Sequence, residues 1–353
     1  MDVSLPCGVF NRSYPEDSAI VRTKTHWAWL ISGVALCFLV PPFFTAEWLG
    51  WTIETCTIII SVLGLYFVTG LCGQISLGQA SFMAIGAYST VLIMNKLSLS
   101  YWLALPISAL ISGGFALIVG SPSLRIKGFY LAMATIAFQF IIGWVLTHPP
   151  LNRWTGGFDG ITVTMPSIGG KILDSYFSWF FVVMGFMWLM IFFAKNIART
   201  KLGRAFVAIR DSDLAAQVLG INIFSYKLIS FFLAGVYGGI AGALFAPYII
   251  HIAPQNFDLF KSIWFLGMLI VGGSGSVVGT ILGVIFLRLL LHTTIMLGPL
   301  ITPIPMVGPL LSNYLSGIVF GIVMMVFLIF EPRGLNHRWE VIKTSYRLHP
   351  FSY

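Results

Sequence analysis

Long apolar runs constrain this chain more than any other feature. Residues 228–250 read LISFFLAGVYGGIAGALFAPYII, with no charged group among them, and similar runs recur along the sequence. About twenty helical residues cross the hydrocarbon core of a bilayer. Composition points the same way: 58% of residues are hydrophobic and 9% charged, where soluble domains carry about 25% charged. A backbone in lipid has to satisfy its own hydrogen bonds, which leaves helices or a closed barrel. The runs lack the period-two alternation of barrel strands. The sequence therefore predicts an all-α, polytopic membrane helical bundle.

Spans are predicted at 27–44, 51–70, 76–95, 101–120, 128–147, 176–194, 228–250, 261–272, 277–293 and 314–331, about ten in all (eight to ten). Glycines interrupt the third. The eighth and ninth are short and joined by GGSGS, which fits a broken or re-entrant pair. The net charge of +8 would suit nucleic acid, but the basic residues sit at the edges of apolar runs, where they orient a membrane protein. With the N terminus inside, fifteen of the twenty Lys and Arg fall on the cytoplasmic side. Both termini are thus expected in the cytoplasm. The organisation is a tail at 1–26, a membrane domain at 27–331 and a basic tail at 332–353. A cytoplasmic loop spans 195–227, a large outer loop 148–175, and a short outer connection 294–313. The N-terminal stretch has no apolar core, so no signal peptide is expected. Cys7, Cys37, Cys56 and Cys72 form no C-x-x-C pair and read as small packing groups.

The cytoplasmic loop contains RDSDLAAQVLG at 210–220. Asp211 or Ser212 can cap a helix whose first turn holds Asp213, a favourable place for an acid. Leu214, Ala215, Val218 and Leu219 share a face, and Gly220 suits the position that ends a helix. A two-turn amphipathic helix follows. It can lie on the bilayer with Arg204, Arg210 and Lys227 on lipid phosphates, or it can dock into a groove of a soluble partner, with Ala215 and Ala216 permitting close approach.

Within the spans, GQISLGQAS places Gln74, Ser76, Gln79 and Ser81 in an apolar region. Such a stretch should face protein or a water-filled path; the alternative is hydrogen bonding between helices. Gly235 and Gly239, then Gly275, Gly279 and Gly283, recur every fourth residue and read as close-packing ladders. Glu54 is the main carboxylate in a span, near its outer end, and is either functional or simply wetted. Arg288 reads as snorkelling. Asp159 in the outer loop reads as solvated. There is no G-x-x-x-x-G-K-[ST] and no H-E-x-x-H, and the six histidines are scattered, so neither nucleotide hydrolysis nor zinc chemistry is expected of this chain.

Six segments, in order, resemble the permease subunits of branched-chain amino-acid ABC importers of the LivM type. They are GLCGQISLGQASFMAIGAY at 70–88, LRIKGFYLAMATIAF at 124–138, TGGFDGI at 155–161, the segment beginning RAFVAIRDSDLAAQVLG at 204, VGGSGSVVGTILGV at 271–284 and EPRGL at 331–335. Gln79 stands where that family often has His, and Gln217 where an acid is common. The resemblance implies a multi-pass transport subunit, not an enzyme, in the inner (plasma) membrane of a prokaryote. It implies pairing with a homologous second permease and two cytoplasmic ABC ATPases that use ATP and Mg, supplied by an external (periplasmic) substrate-binding protein. Besides these, membrane lipid is the remaining partner, with no nucleic acid. The coupling residues implied are Arg210, Asp211, Asp213, Leu214, Ala215, Ala216 and Gly220. Thr155, Gly156 and Gly157 would lie at the outer mouth. Leucine-like amino acids are the leading substrates; urea or short amides, a self-sufficient carrier or channel, and a membrane enzyme or scaffold are the alternatives. A tag on the C terminus is expected to be reached only from the cytoplasmic side in an accessibility assay; labelling from outside breaks this map.

Overall fold

Among the described residues the apolar runs are largely helical, as backbone pairing in lipid demands. The computed structural model describes residues 24–39, 44–124, 128–168, 170–173, 175–301, 308–331 and 333–348. The helices are α1 (Lys24–Leu39), α2 (Ala46–Leu65), α3 (Gln79–Leu97), α4 (Tyr101–Gly120), α5 (Phe129–Thr147), the short α6 (Asn152–Thr155), α7 (Tyr176–Arg199), α8 (Lys201–Asp211), α9 (Asp213–Val218), α10 (Ile223–Ile249), α11 (Leu259–Gly272), α12 (Val277–Ile301), α13 (Gly308–Phe330) and α14 (Leu335–Leu348). Two minimal antiparallel ladders complete the described residues: β1 (Ile161–Thr162) with β4 (His251–Ile252), and β2 (Ser167–Ile168) with β3 (Lys171–Ile172).

Six helical stretches among the described residues are long and apolar enough to cross a membrane: Ala46–Leu71, Tyr101–Gly120, Phe129–Thr147, Tyr176–Arg199, Ile223–Ile249 and Val277–Met296. A bent pair, Tyr314–Phe330 with Leu335–Ser345 at 49°, raises this to seven. The sequence expectation of ten also counted α1, α3 and α11. Helices of 16 and 14 residues, α1 and α11, reach about 24 and 21 Å at 1.5 Å per residue, short of the roughly 30 Å core. Helix α3 carries Gln79, Ser81, Ser89, Thr90, Asn95 and Lys96, which dilute its hydrophobicity; it is an interior helix.

Helix α10 is the hub, with α2, α3 and α4 packed around it. Its glycines work on two faces. A Cβ at Gly242 would collide with the Met83 carbonyl of α3, and one at Gly86 of α3 would collide with the Gly239 backbone. On the other face a Cβ at Gly235 would stand 2.7 Å from the Ser112 carbonyl of α4 and one at Gly239 2.8 Å from Ser112 Cβ. Lipid offers no hydrophobic push between helices, so close backbone approach and hydrogen bonds hold them together. Ser112 Oγ donates to the Phe82 carbonyl at 2.9 Å, and Thr90 Oγ1 to Ser108 Oγ at 2.7 Å. Three buried aromatic tips find carbonyl partners: Tyr101 OH donates to Ala243 O at 3.1 Å, Trp179 Nε1 to Leu244 O at 3.2 Å and Tyr237 OH to Met190 O at 3.0 Å, whereas Trp188 Nε1 is buried with no partner among the described residues.

Helices α11 and α12 form a second contact of the same kind. Added Cβ atoms at Gly279 and Gly283 would meet Gly272 O at 2.6 Å and Gly272 Cα at 2.6 Å. Gly275 stands in the turn between them with open space around it, because the helix begins only at Val277. The expected ninth span is thus a full one, and its partner α11 is the short member. The 294–313 segment is not a plain connection: α12 runs to Ile301 and α13 begins at Gly308. The 195–227 segment is helical nearly throughout. Residues 1–23, Cys7 and Arg12 among them, and Arg125 and Lys127 lie outside the described residues.

Gly242→Leu is expected to lower the melting temperature of the detergent-solubilised protein, since overpacking costs about 1–3 kcal/mol. Gly114→Leu, at an exposed α4 glycine with nothing within 4 Å of an added Cβ, should leave it unchanged.

Candidate functional site

The charged segment builds a braced knob at one end of the bundle. Thr200 is extended (φ −73°, ψ 178°) and separates α7 from α8. Only glycine fits at Gly203, because a Cβ there would collide with the Ala198 backbone. Helix α8 buries Ala205, Phe206 and Ile209. Ser212 then caps α9, its Oγ accepting from Ala215 N at 3.3 Å, as Ser does at a helix start. Gly220 stops the helix at φ +80°, the left-handed region glycine tolerates. Asp213 in the first turn pairs with Lys227 Nζ at 3.3 Å, and Lys227 is only 2% exposed. Ala216 faces inward at 1% exposure, while Leu214, Val218 and Leu219 stand out at 77%, 87% and 76%. Successive helical residues lie about 100° apart at 3.6 residues per turn, so of the two alanines only Ala215 faces outward.

Arg210 ties this knob to a break in the first long span. Helix α2 passes into a single π turn, Tyr66–Leu71, and residues 73–78 have no regular secondary structure before α3 starts. Arg210 Nη1 donates to Gly70 O at 3.2 Å and Nε to Asp211 Oδ1 at 3.1 Å. Gly73 has φ +69°, and a Cβ there would stand 2.7 Å from Arg210 Cγ. On the other side a Cβ at Gly70 would collide with the Ser274 carbonyl, and one at Gly334 would meet Gly273 N at 2.5 Å. Segments 70–74, 204–217, 271–276 and 331–335, far apart in sequence, meet here. A polar cavity of about 390 Å³ lies between Gln74, Arg210, Asp213 and Lys227.

The polar residues of the break divide into two groups. Ser81 N and Oγ donate to Gln139 Oε1 at 2.9 and 2.6 Å, Ser262 Oγ donates to the same atom at 3.2 Å, and Gln139 Nε2 donates to Phe257 O at 2.6 Å. Ala80 N and Leu77 N are taken by Ser262 Oγ and Thr135 Oγ1, each at 2.9 Å. Ser81 is thus hydrogen-bonded within a satisfied network. Gln79 lies between Gly64 and Gly238 and donates to Ser61 O at 2.9 Å and Ala234 O at 3.2 Å. Its Oε1, with Gln74 Oε1, Ser76 Oγ and Ser61 Oγ, is buried without a partner among the described residues. Two amide oxygens and two hydroxyls left open in a membrane interior are groups that water would satisfy.

Thr155, Gly156 and Gly157 make a corner below α6. Thr155 is buried, its Oγ1 donating to Leu146 O at 2.6 Å. Gly156 and Gly157 have φ +70° and +60°. His251 Nε2 donates to the Asp159 carbonyl at 2.6 Å, and β1 pairs with β4. The corner is therefore fixed against the end of α10, and among the described residues no hydrogen bond joins it to Gln74–Ser81.

Glu54 and Arg288 were missed as a pair. Arg288 does not snorkel: Nη2 meets Glu54 Oε2 at 2.6 Å, Nε donates to Thr55 Oγ1 at 3.3 Å, and the guanidinium lies 5.7 Å from the Trp51 ring centre. The two residues are 234 positions apart; the only signal available was one acid and one base in two otherwise apolar runs.

A bundle of membrane-crossing helices with a broken polar span and a braced apolar knob at one end is built as a membrane permease. The chain belongs to the family described as branched-chain amino acid transport system / permease component, whose pattern matches residues 48–328. It is 30% identical over 301 residues to the high-affinity branched-chain amino acid transport system permease protein LivM of Salmonella typhimurium, covering 78% of this chain and 67% of the relative. The LivM of Escherichia coli gives the same figures. The autoinducer 2 import system permease protein LsrC of Shigella flexneri is 23% identical over 313 residues, 85% of each chain. No solved structure matches.

Gln139→Leu is expected to destabilise the purified protein by about 2 kcal/mol, because it strands the Ser81 and Ser262 donors. Ser76→Ala should leave stability unchanged or raise it by up to about 1 kcal/mol, since its hydroxyl has no partner to lose. Thermal unfolding in detergent measures both.

Proposed function

We propose that this chain is a membrane-spanning subunit of an ATP-driven importer for branched-chain amino acids in the inner membrane of a prokaryote. It works with a homologous second permease, two cytoplasmic ATPases that bind ATP and Mg, and an external binding protein that delivers the substrate. Hydrolysis falls to the ATPases, since this sequence carries no P-loop.

The observation that carries this reading is the outward face of α9. Leu214, Val218 and Leu219 are exposed on a helix of six residues. Such a short helix is marginal by itself, yet this one is capped by Ser212 and pinned by Asp213–Lys227. A helix resting on lipid headgroups has no use for that rigidity, whereas a groove that pulls on it does. Arg210, pressed against Gly73 and bonded to Gly70, gives displacement of the knob a direct route to the broken span. A partner that binds α9 more tightly in one of two bundle conformations shifts the balance between them. For the substrate, the relatives named for branched-chain amino acids support leucine, isoleucine or valine. The likeness to LsrC, named for autoinducer 2 import, keeps other neutral solutes in the comparison.

Ala215→Arg is expected to abolish uptake of radiolabelled leucine while membrane insertion and melting temperature are retained, and ATP hydrolysis by the complex should no longer track transport. Wild-type uptake by this variant would count against docking at α9.

A further inference from the structure

A second cavity lies remote from the knob, about 24 Å along the first long span from Gly70 at 1.5 Å per residue. It is an open cleft of about 380 Å³ between α2, α11, α12 and α13, within the usual range of roughly 300–1,000 Å³ for ligand sites. Glu54, Asp258, Lys261 and Arg288 line it, with Trp264 and Met268 among the apolar walls. Two acids and two bases make a wall of zero net charge with separated poles. Their bonding is incomplete in a particular way. Lys261 Nζ donates to Asn256 O at 3.1 Å and lies 4.0 Å from the Phe245 ring centre, but among the described residues no carboxylate lies within 4 Å of it. Asp258 Oδ1 is occupied by Lys261 N, as the cap of α11, at 2.9 Å. Arg288 holds Glu54 Oε2, and among the described residues no hydrogen bond reaches Glu54 Oε1. Charges at membrane depth are costly and are usually paired or functional. Among the described residues, this cavity offers an ammonium with no carboxylate in direct contact and a carboxylate oxygen without a donor.

We infer that the cavity is a binding site in the transport path for the zwitterionic head of a free amino acid. Lys261 receives the α-carboxylate, Glu54, oriented by Arg288, receives the α-ammonium, and Trp264 and Met268 flank the apolar side chain. The site would thereby distinguish an amino acid from urea or a simple amide, which has no separated charges to match. This rests on the importer reading above and narrows its substrate.

The test uses the complete complex, with its partner subunits, in lipid vesicles, and a diazirine analogue of leucine as a photoreactive probe. Cross-linked peptides mapped by mass spectrometry should carry the probe at Trp264 or Met268. Leucine should compete for labelling, and 3-methylbutylamine, which lacks the carboxylate, should not. Lys261→Met should reduce labelling at least about tenfold, the scale of one charge-assisted hydrogen bond, and Lys261→Arg should restore most of it. That rescue separates loss of charge from loss of folding. Equal labelling of wild type and Lys261→Met, or labelling wholly outside this cavity, overturns the site. ATP-driven leucine uptake by the same vesicles is scored separately. Uptake with labelling elsewhere overturns the site alone, labelling in the cavity without uptake overturns the importer reading alone, and the absence of both overturns the two together.

Discussion

The close approach of α10 to α3 and α4 is the contact on which the rest of the bundle depends. Between helices in lipid there is no water to expel, so association rests on packing and hydrogen bonds. Gly235 and Gly239 on one face and Gly238 and Gly242 on the other remove the side chains that would keep the backbones apart. Once the axes are this close, Tyr101 reaches the Ala243 carbonyl, Trp179 reaches Leu244 and Gln79 fits between Gly64 and Gly238. Each of these donors would otherwise be stranded at a cost of about 1–3 kcal/mol. The glycines thus set both the distances and the hydrogen-bond partners of the larger residues.

The break at 66–78 is possible only because this frame surrounds it. A non-helical segment exposed to hydrocarbon would leave its amides unpaired. Here Leu77 N finds Thr135, Gln74 N finds Val68 O and Ala80 N finds Ser262. The break is therefore a supported feature with a specified shape, and Arg210 touches it at Gly70 and Gly73. The turn at 273–276 and Gly334 close the same junction from the other side. Packed junctions of this kind have a small number of arrangements, which suits an element that has to switch between states.

Charge is scarce in the interior and is placed at such junctions. Lys227 braces α9 through Asp213, Arg288 crosses from α12 to Glu54 on α2, and Lys261 stands at the start of α11. Removing a partner from a buried pair leaves an uncompensated charge, which costs far more than the pair gained by forming. The pairs therefore act less as a source of stability than as constraints on which elements stay together.

Much of this was legible from one dimension. The apolar runs fixed the helical class, because lipid permits few alternatives. The cap at Ser212, the acid at Asp213 and the stop at Gly220 are local signals, and α9 ends where they place it. Spacing of four exposed the ladders at Gly235–Gly239 and Gly279–Gly283, because periodicity along a helix is a property of the sequence alone. It misplaced Gly275, which has the right spacing but lies before the helix begins. The bonding of the polar break was not legible: whether Ser81 lines a path or pairs with Gln139 depends on a partner 58 positions away. The same holds for Arg288, whose run alone reads as snorkelling and whose carboxylate partner lies on α2. Sequence by itself determined the helical class and where the exposed knob begins and ends, because those follow from local hydrophobicity and capping. Only the tertiary structure decided which polar groups are paired and which are left open, because that depends on which helix faces the glycine surfaces bring together.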